Sequence, residues 1–217
     1  MLLLAVDTAT PAVTVALHDG DSVVAETTRV DARRHGELLL PLIDATLREA
    51  GRTLDAVTGL AVGVGPGPYT GLRVGLATAE TFGFALGVPV HGLCTLDALA
   101  YATGREGPFA VATDARRKEV YWARYDDART RATEPAVDRP AEIAESLAGL
   151  PVVGAGALLY PEAFPDARGP EHVSAAALAS LAAEKLAAGS DFLPPLPLYL
   201  RRPDAQVPKN YKVVTPT

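Results

Sequence analysis

The stretch GVGPGPYTGLRVG, residues 63–75, decides the fold. It opens on the end of an apolar run, GLAVGV at 59–64, that reads as a buried strand. Gly65, Pro66, Gly67 and Pro68 then interrupt regular structure and force a tight turn. Beyond that turn the apolar residues recur at helical spacing, predicting a helix over 71–86 that closes at Gly87. These glycines do not make a dinucleotide-binding loop. From Gly65 the spacing is G-x-G-x-x-Thr, and the chain reads as lacking βαβ alternation.

Upstream, LLLAVD at 2–7, VTVAL at 13–17 and residues 22–30 read as a strand meander, with Asp19-Gly20 as a hairpin turn. A helix is predicted over 35–50 from Leu38, Leu39, Leu42, Ile43, Leu47 and Ala50, with Gly51 as its C-cap. Pro41 lies inside that pattern, so the helix should start late or bend there. Downstream, residues 88–93 return to strand. The second half opens near Gly104, with FAVATD at 109–114 and EVYWARY at 119–125 as a hairpin. A short helix over 141–149, a strand and glycine turn at 151–156, and an alanine-rich helix over 174–188 capped by Ser174 follow. From Pro194 the chain reads as an irregular, proline-rich tail.

The two halves echo each other. A shift of 107 positions sets Ala5 on Ala112, Asp7 on Asp114, Val13 on Val120, Ala16 on Ala123 and Asp19 on Asp126. Both copies read strand, aspartate, short turn, strand. A duplicated α/β fold of two lobes follows, residues 1–104 and a smaller 105–217.

Composition narrows the functional classes. The 217 residues are 48% hydrophobic, enough for a buried core, and no apolar run is long enough to span a bilayer. No basic segment precedes the first apolar run, so no signal peptide is expected and a cytoplasmic location is. The lone Cys94 excludes an internal disulfide and reads as a small buried hydrophobe on a strand. The net charge of −6 argues against an RNA-gripping face of its own; Arg33-Arg34, Arg116-Arg117-Lys118 and Arg201-Arg202 read as solvated clusters. A nucleic-acid role would then be shared with a partner.

Each half places an aspartate at the end of its first strand, before a polar turn: Asp7-Thr8-Ala9-Thr10 and Asp114-Ala115-Arg116. Such turns offer N–H groups and hydroxyls to phosphate, and a cleft aspartate holds magnesium through water. They are equally ordinary hairpin turns, where Asp and Thr are common. The paired arrangement resembles the actin/Hsp70/sugar-kinase superfamily, whose two lobes clasp a nucleotide. Gly154 and Gly156, after a late strand, resemble that superfamily's adenosine-contact glycines. The resemblance makes Asp7, Thr8, Thr10, Asp114, Gly154 and Gly156 the candidate nucleotide residues of a vestigial site, with weak ATP or ADP binding at best.

A narrower resemblance rests on GPGPYTGLRVG, which matches the GPGSFTGLRIG signature of the TsaB (YeaZ) family. DTAT at 7–10, HGELLLPLID at 35–44, DARRKEVYWARY at 114–125 and PLYLRR at 197–202 agree in order along the chain. Pro68-Tyr69 stands where Ser-Phe is usual. The resemblance implies a paralogue of TsaD, the enzyme that transfers threonylcarbamoyl to an adenosine beside the anticodon of tRNA. It implies a non-catalytic subunit that pairs with TsaD, is joined by the ATPase TsaE, forms a homodimer when alone, and meets tRNA through the complex. TsaD-like enzymes carry a metal on H-x-x-x-H; here His35 is followed at the fourth position by Leu39, so no metal is expected.

Along the predicted helix 71–87 small residues recur at every fourth position: Gly71, Gly75, Ala79, Gly83 and Gly87. Glycine inside a helix costs about 1 kcal/mol against alanine, so such a stripe implies a close backbone neighbour. The neighbour is either the protein's own sheet or a partner. The resemblance implies that Leu72, Gly75, Leu76, Ala79, Phe82 and Gly83, with Leu39, Ile43 and Leu47 of the preceding helix, form a four-helix contact. Competing readings are a stand-alone glycoprotease-like hydrolase and a small-molecule kinase. The missing histidine weighs against the first and the short second half against the second.

Overall fold

The computed structural model describes residues 1–201. Arg202 of the PLYLRR segment therefore lies outside the described residues.

The first sheet contains β1 (Leu3–Asp7), β2 (Ala12–His18), β3 (Val23–Val30), β4 (Gly59–Gly63) and β5 (Val90–Leu93). Their order is β3-β2-β1-β4-β5. The first three form the meander and β1, β4 and β5 run parallel. Helix α1 (His35–Glu49) connects β3 to β4, α2 (Tyr69–Leu86) connects β4 to β5, and α3 (Thr95–Tyr101) follows β5.

The second sheet repeats this plan, with shorter strands and helices in the places of β3, β4, β5, α1 and α2. It holds β6 (Phe109–Asp114), β7 (Val120–Asp127), β8 (Thr130–Arg131), β9 (Ala136–Asp138), β10 (Val152–Val153) and β11 (Ala167–Arg168). The order is β11-β10-β6-β7-β8, with β9 also paired to β7. Helices α4 (Pro140–Ile143), α5 (Ala155–Leu159) and α6 (Ala175–Ala187) take the places of α1, α2 and α3. Two antiparallel neighbours on one side of the first strand and two parallel ones on the other, twice over, make the two-lobed actin/Hsp70-like fold with a reduced second lobe.

Alternation along the strands divides the core into layers. Leu3, Ala5, Ala16 and Ala61 of the first sheet face inward with Phe109, Val111 and Tyr125 of the second. The intervening edges of β1, β2 and β4 turn Leu4, Val6, Val15 and Val62 outward onto α1 and α2. In the second lobe Ala110, Ala112, Val120 and Val152 pack outward with Ile143 and Phe164. Each lobe's last helix lies against the other lobe. Helix α6 packs on β1, β2 and β3, and α3 packs on β6 and β7. The alanines of the inner face of the first sheet let Ala175, Ala179 and Ala182 of α6 approach closely. Ser174 caps α6 by accepting from Ala177 N–H at 3.2 Å and donates to Glu26 of β3 at 2.7 Å. Thr14 Oγ1 of β2 accepts from Ala175 N–H at 3.0 Å, so the first lobe supplies part of the cap.

Several expectations change. Units β4-α2-β5 and β10-α5-β11 are parallel strand–helix–strand crossovers, so βαβ alternation is present after all. The echo at 107 positions keeps the facing of the second strand of each hairpin and reverses it in the first: Val13 and Val120 both face outward and Ala16 and Ala123 both inward, whereas Ala5 faces inward and Ala112 outward. Asp7 pairs with Thr14 whereas Asp114 pairs with Val120, because the second turn is one residue shorter. The cross-strand partners are therefore out of step by one, Ala5 with Ala16 against Ala112 with Trp122. Helix α1 begins at His35 and continues through Pro41, so it does not start late; Pro41 lies with Glu37 on its exposed side. Helix α3 is an addition, and Cys94 sits just before it rather than on a strand. The helix expected over 141–149 is α4 followed by turns.

Candidate functional site

The turn after β1 is built into the interior. Asp7 is fully buried; its Oδ2 accepts from Thr95 Oγ1 at 2.7 Å and its Oδ1 from Ala9 N–H at 2.8 Å. A Cβ on Gly63 would stand 1.7 Å from Asp7 Oδ2, so glycine at 63 makes room for the carboxylate. Burial pushes the Asp7 carboxyl up to about 6, against the opposing pull of the bonds from Thr95 and Ala9. Thr95 Oγ1 also accepts from Gly65 N–H at 3.2 Å, tying the carboxylate to the Gly/Pro turn.

Thr8 is committed too. Its hydroxyl donates to the Gly71 carbonyl at 2.7 Å and accepts from the Gly75 N–H at 2.9 Å, joining the two groups that a helix would otherwise bond directly. A Cβ at Gly71 would lie 2.5 Å from Thr8 O, and one at Gly75 2.6 Å from Thr8 Oγ1. Thr10 O accepts from His35 Nε2 at 2.8 Å, which places the imidazole proton on Nε2 and anchors the start of α1.

Across the cleft, Asp114 is held by its own turn. Oδ1 accepts from Arg116 N–H at 2.8 Å and Oδ2 pairs with the Arg116 guanidinium at 3.3 Å. Arg116, Arg117 and Lys118 are all left-handed, with φ of 62°, 56° and 63°. Each such non-glycine residue costs roughly 1–2 kcal/mol, an unusual concentration of strain for a short turn. Gly154, at φ 115°, and Gly156 are buried against the second sheet. Their Cβ positions fall 2.4 and 2.9 Å from Ala112 O, so they serve the packing of α5 on β6.

The candidate nucleotide residues therefore do not converge on one open site. Thr8, Thr10 and Asp114 border a cavity of about 290 Å³ with His35, Pro68, Thr70 and Arg116. Asp7, Gly154 and Gly156 do not line it, and the Thr8 hydroxyl beside it is already bonded on both sides. Burial pushes the Cys94 thiol up to about 12, which leaves little thiolate at neutral pH. Among the described residues no group of three His, Cys, Asp or Glu side chains is placed to hold a metal ion.

The helix positions are corrected as well. Leu39, Ile43 and Leu47 of α1, and Leu72, Gly75, Leu76, Ala79 and Gly83 of α2, are buried in the chain's own interior, with Phe82 half-buried beside them. The glycine stripe faces the protein's own sheet: a Cβ at Gly83 would meet Val90 Cγ2 of β5 at 2.3 Å. The opposite faces carry what the sequence reading missed. Phe84 is 92% exposed on α2, and Leu40 is 53% exposed on α1. The available signal was an aromatic residue off the buried stripe of an amphipathic helix.

A family model described as TsaD, tRNA N6-adenosine threonylcarbamoyltransferase, matches residues 23–183. YeaZ from Pseudomonas aeruginosa superposes with a TM-score of 0.79 at 34% identity, over 92% of this chain and 99% of that one. The chain belongs to the TsaB (YeaZ) family. An uncharacterized protein of Mycobacterium tuberculosis is 46% identical over 94% of this chain and 93% of its own length. The tRNA threonylcarbamoyladenosine biosynthesis protein TsaB of Escherichia coli is 37% identical over 58% of this chain and 55% of that relative. For this TsaB-family chain, no helix among the described residues is long and apolar enough to cross a membrane.

Proposed function

We propose that this chain is a non-catalytic subunit of the assembly that installs threonylcarbamoyl on the adenosine beside the anticodon of tRNA. The carrying observation is that Asp7 and Thr8, at the turn where a nucleotide-dependent relative would present ligands, are committed to holding the Gly/Pro turn and α2. What that scaffold presents outward is Phe84, 92% exposed on α2, and Leu40 on α1. An aromatic ring exposed to this degree gains apolar burial when a partner covers it. In this reading a TsaD-type catalytic subunit docks there, a TsaE-type ATPase joins the pair, and a second copy occupies the face when the chain is alone. The names of the Escherichia coli and Bacillus subtilis relatives support the pathway.

Reconstitution tests the reading. The purified chain is assayed alone and then with TsaD and TsaE of the same organism, scoring threonylcarbamoyl transfer to tRNA. Transfer that requires this chain, with none by the chain alone, is expected. Peptide hydrolysis or sugar phosphorylation by the isolated chain would replace this reading with one of its two competitors.

A further inference from the structure

Two basic clusters that lie far apart in sequence meet in space. The left-handed turn brings Arg116 and Arg117, and the C-terminal segment brings Arg201, to one cavity of about 620 Å³. Tyr69 at the start of α2, Tyr121 of β7 and Tyr199 complete its walls. That volume lies within the roughly 300–1,000 Å³ typical of small-ligand sites.

The chemistry of these walls is specific. Tyr69 and Tyr199 stack on each other with centroids 5.3 Å apart, and both are about half exposed. Arg73 lies 5.0 Å from the Tyr69 ring and adds positive charge beside the stack. Arg116 pairs with Asp114 and Arg201 with Glu119, and both pairs reach solvent. A guanidinium carries five N–H donors, and one carboxylate contact does not use them all, so a phosphate can share the fork with Asp114 or Glu119. The guanidinium fork matches a phosphate in two parallel bonds. An exposed tyrosine ring offers its face to a base. The protein as a whole carries a charge of −6, so a polyanion is repelled elsewhere and drawn to this mouth.

We propose that this tyrosine–arginine cavity between the lobes binds a single-stranded segment of RNA, stacking a base at Tyr199 and holding the adjoining phosphates on Arg116, Arg117 and Arg201. An acidic peptide would satisfy the arginines and leave the tyrosine faces without a π partner. A double helix keeps its bases stacked internally and offers none to the ring. The proposal rests on the tRNA reading above and deepens it by giving this chain its own RNA contact.

The test uses the full 217-residue chain and a fluorescent single-stranded RNA 12-mer, read by anisotropy over a salt series. Tyr199→Ala should lower affinity at least five-fold with an unchanged salt slope, and Tyr199→Phe should restore it. Arg116→Asn, with a residue that tolerates a left-handed backbone, should lower affinity and reduce the salt slope by about 0.7. Duplex RNA and a poly-glutamate peptide should compete poorly. Unchanged binding in both variants would overturn the site, as would equal competition by duplex or peptide. The reconstituted transfer assay separates the two levels. A wild-type chain that supports full transfer yet does not bind the RNA 12-mer would remove this site while leaving the subunit reading in place.

Discussion

Thr8 Oγ1 lies 2.9 Å from the amide nitrogen of Gly75, and the same hydroxyl donates to the carbonyl one helical turn earlier. The first turn of α2 is thus locked to the end of β1 by a side chain standing in the helical ladder. Alanine at 75 brings a Cβ to 2.6 Å from that hydroxyl. The gain in helix propensity, about 1 kcal/mol, opposes an overpacking cost of roughly 1–3 kcal/mol. The cost wins because the hydroxyl has no room to retreat without breaking two buried bonds. Gly75→Ala should lower the denaturation midpoint, and Thr8→Val should destabilise by about 1–3 kcal/mol through the two groups left unpaired. Urea unfolding measures both, and an unchanged Thr8→Val midpoint would contradict the ladder role.

Asp7 gives a pH signature. Its folded-state pKa stands raised from 3.8 to about 6, so between those values the folded chain holds more protons than the unfolded one. Stability from this group is then greatest below pH 4 and falls as pH rises through about 6. With 1.36 kcal/mol per pKa unit, the loss is about 3 kcal/mol. Asp7→Asn removes the titration while keeping an acceptor for Ala9 N–H. The wild-type curve minus the Asp7→Asn curve should slope downward from pH 4 to 6, as measured by urea midpoints at each pH. A flat difference would show that Asp7 titrates normally.

The sequence made some of this legible for physical reasons. Apolar runs bounded by polar turns announced β1, β2, β4 and β6, because strands buried on both faces need unbroken hydrophobic sequence. The exchange of α3 and α6 between lobes left no trace, since α3 is short and its small apolar residues show no sided pattern. The glycine stripe signals a close contact and leaves two neighbours open, of which the protein's own sheet, not the partner that the resemblance implies, is the one present. Small residues at every fourth position permit close approach by a strand as readily as by a helix, and only the positions of Thr8 and Val90 decide between them. The same holds for Asp7, whose residue type suits a magnesium ligand and whose surroundings make it a buried brace.

Nucleotide binding should be weak. Gly154 and Gly156 are filled by Ala112 O, and Asp114 is bonded to Arg116 twice. A nucleotide phosphate entering there meets the Asp114 carboxylate at close range and does not gain the Thr8 hydroxyl. Calorimetry with ATP or ADP and magnesium should give a dissociation constant no tighter than about 100 µM, near −5.5 kcal/mol. A value close to 1 µM would mean that the turn at Asp114 reopens on binding.

The assembly face is tested by two substitutions on one helix. Phe84 touches little of its own chain, being 92% exposed, so Phe84→Asp should leave the monomer's melting temperature nearly unchanged. If a partner covers that ring, the substitution both removes the aromatic contact and buries a charge. A central aromatic contact contributes about 2 kcal/mol or more, so assembly should weaken at least 30-fold. Leu40→Asp on α1 should act in the same direction if the partner spans both helices. Gly83→Leu supplies the contrast, because even its Cβ lies 2.3 Å from Val90 Cγ2 in the chain's own interior. That variant should melt early at a dilution where every species is monomeric. Sedimentation velocity reports association and thermal melting reports folding. A Phe84→Asp chain that still pairs at wild-type affinity would move the docking face elsewhere on the molecule.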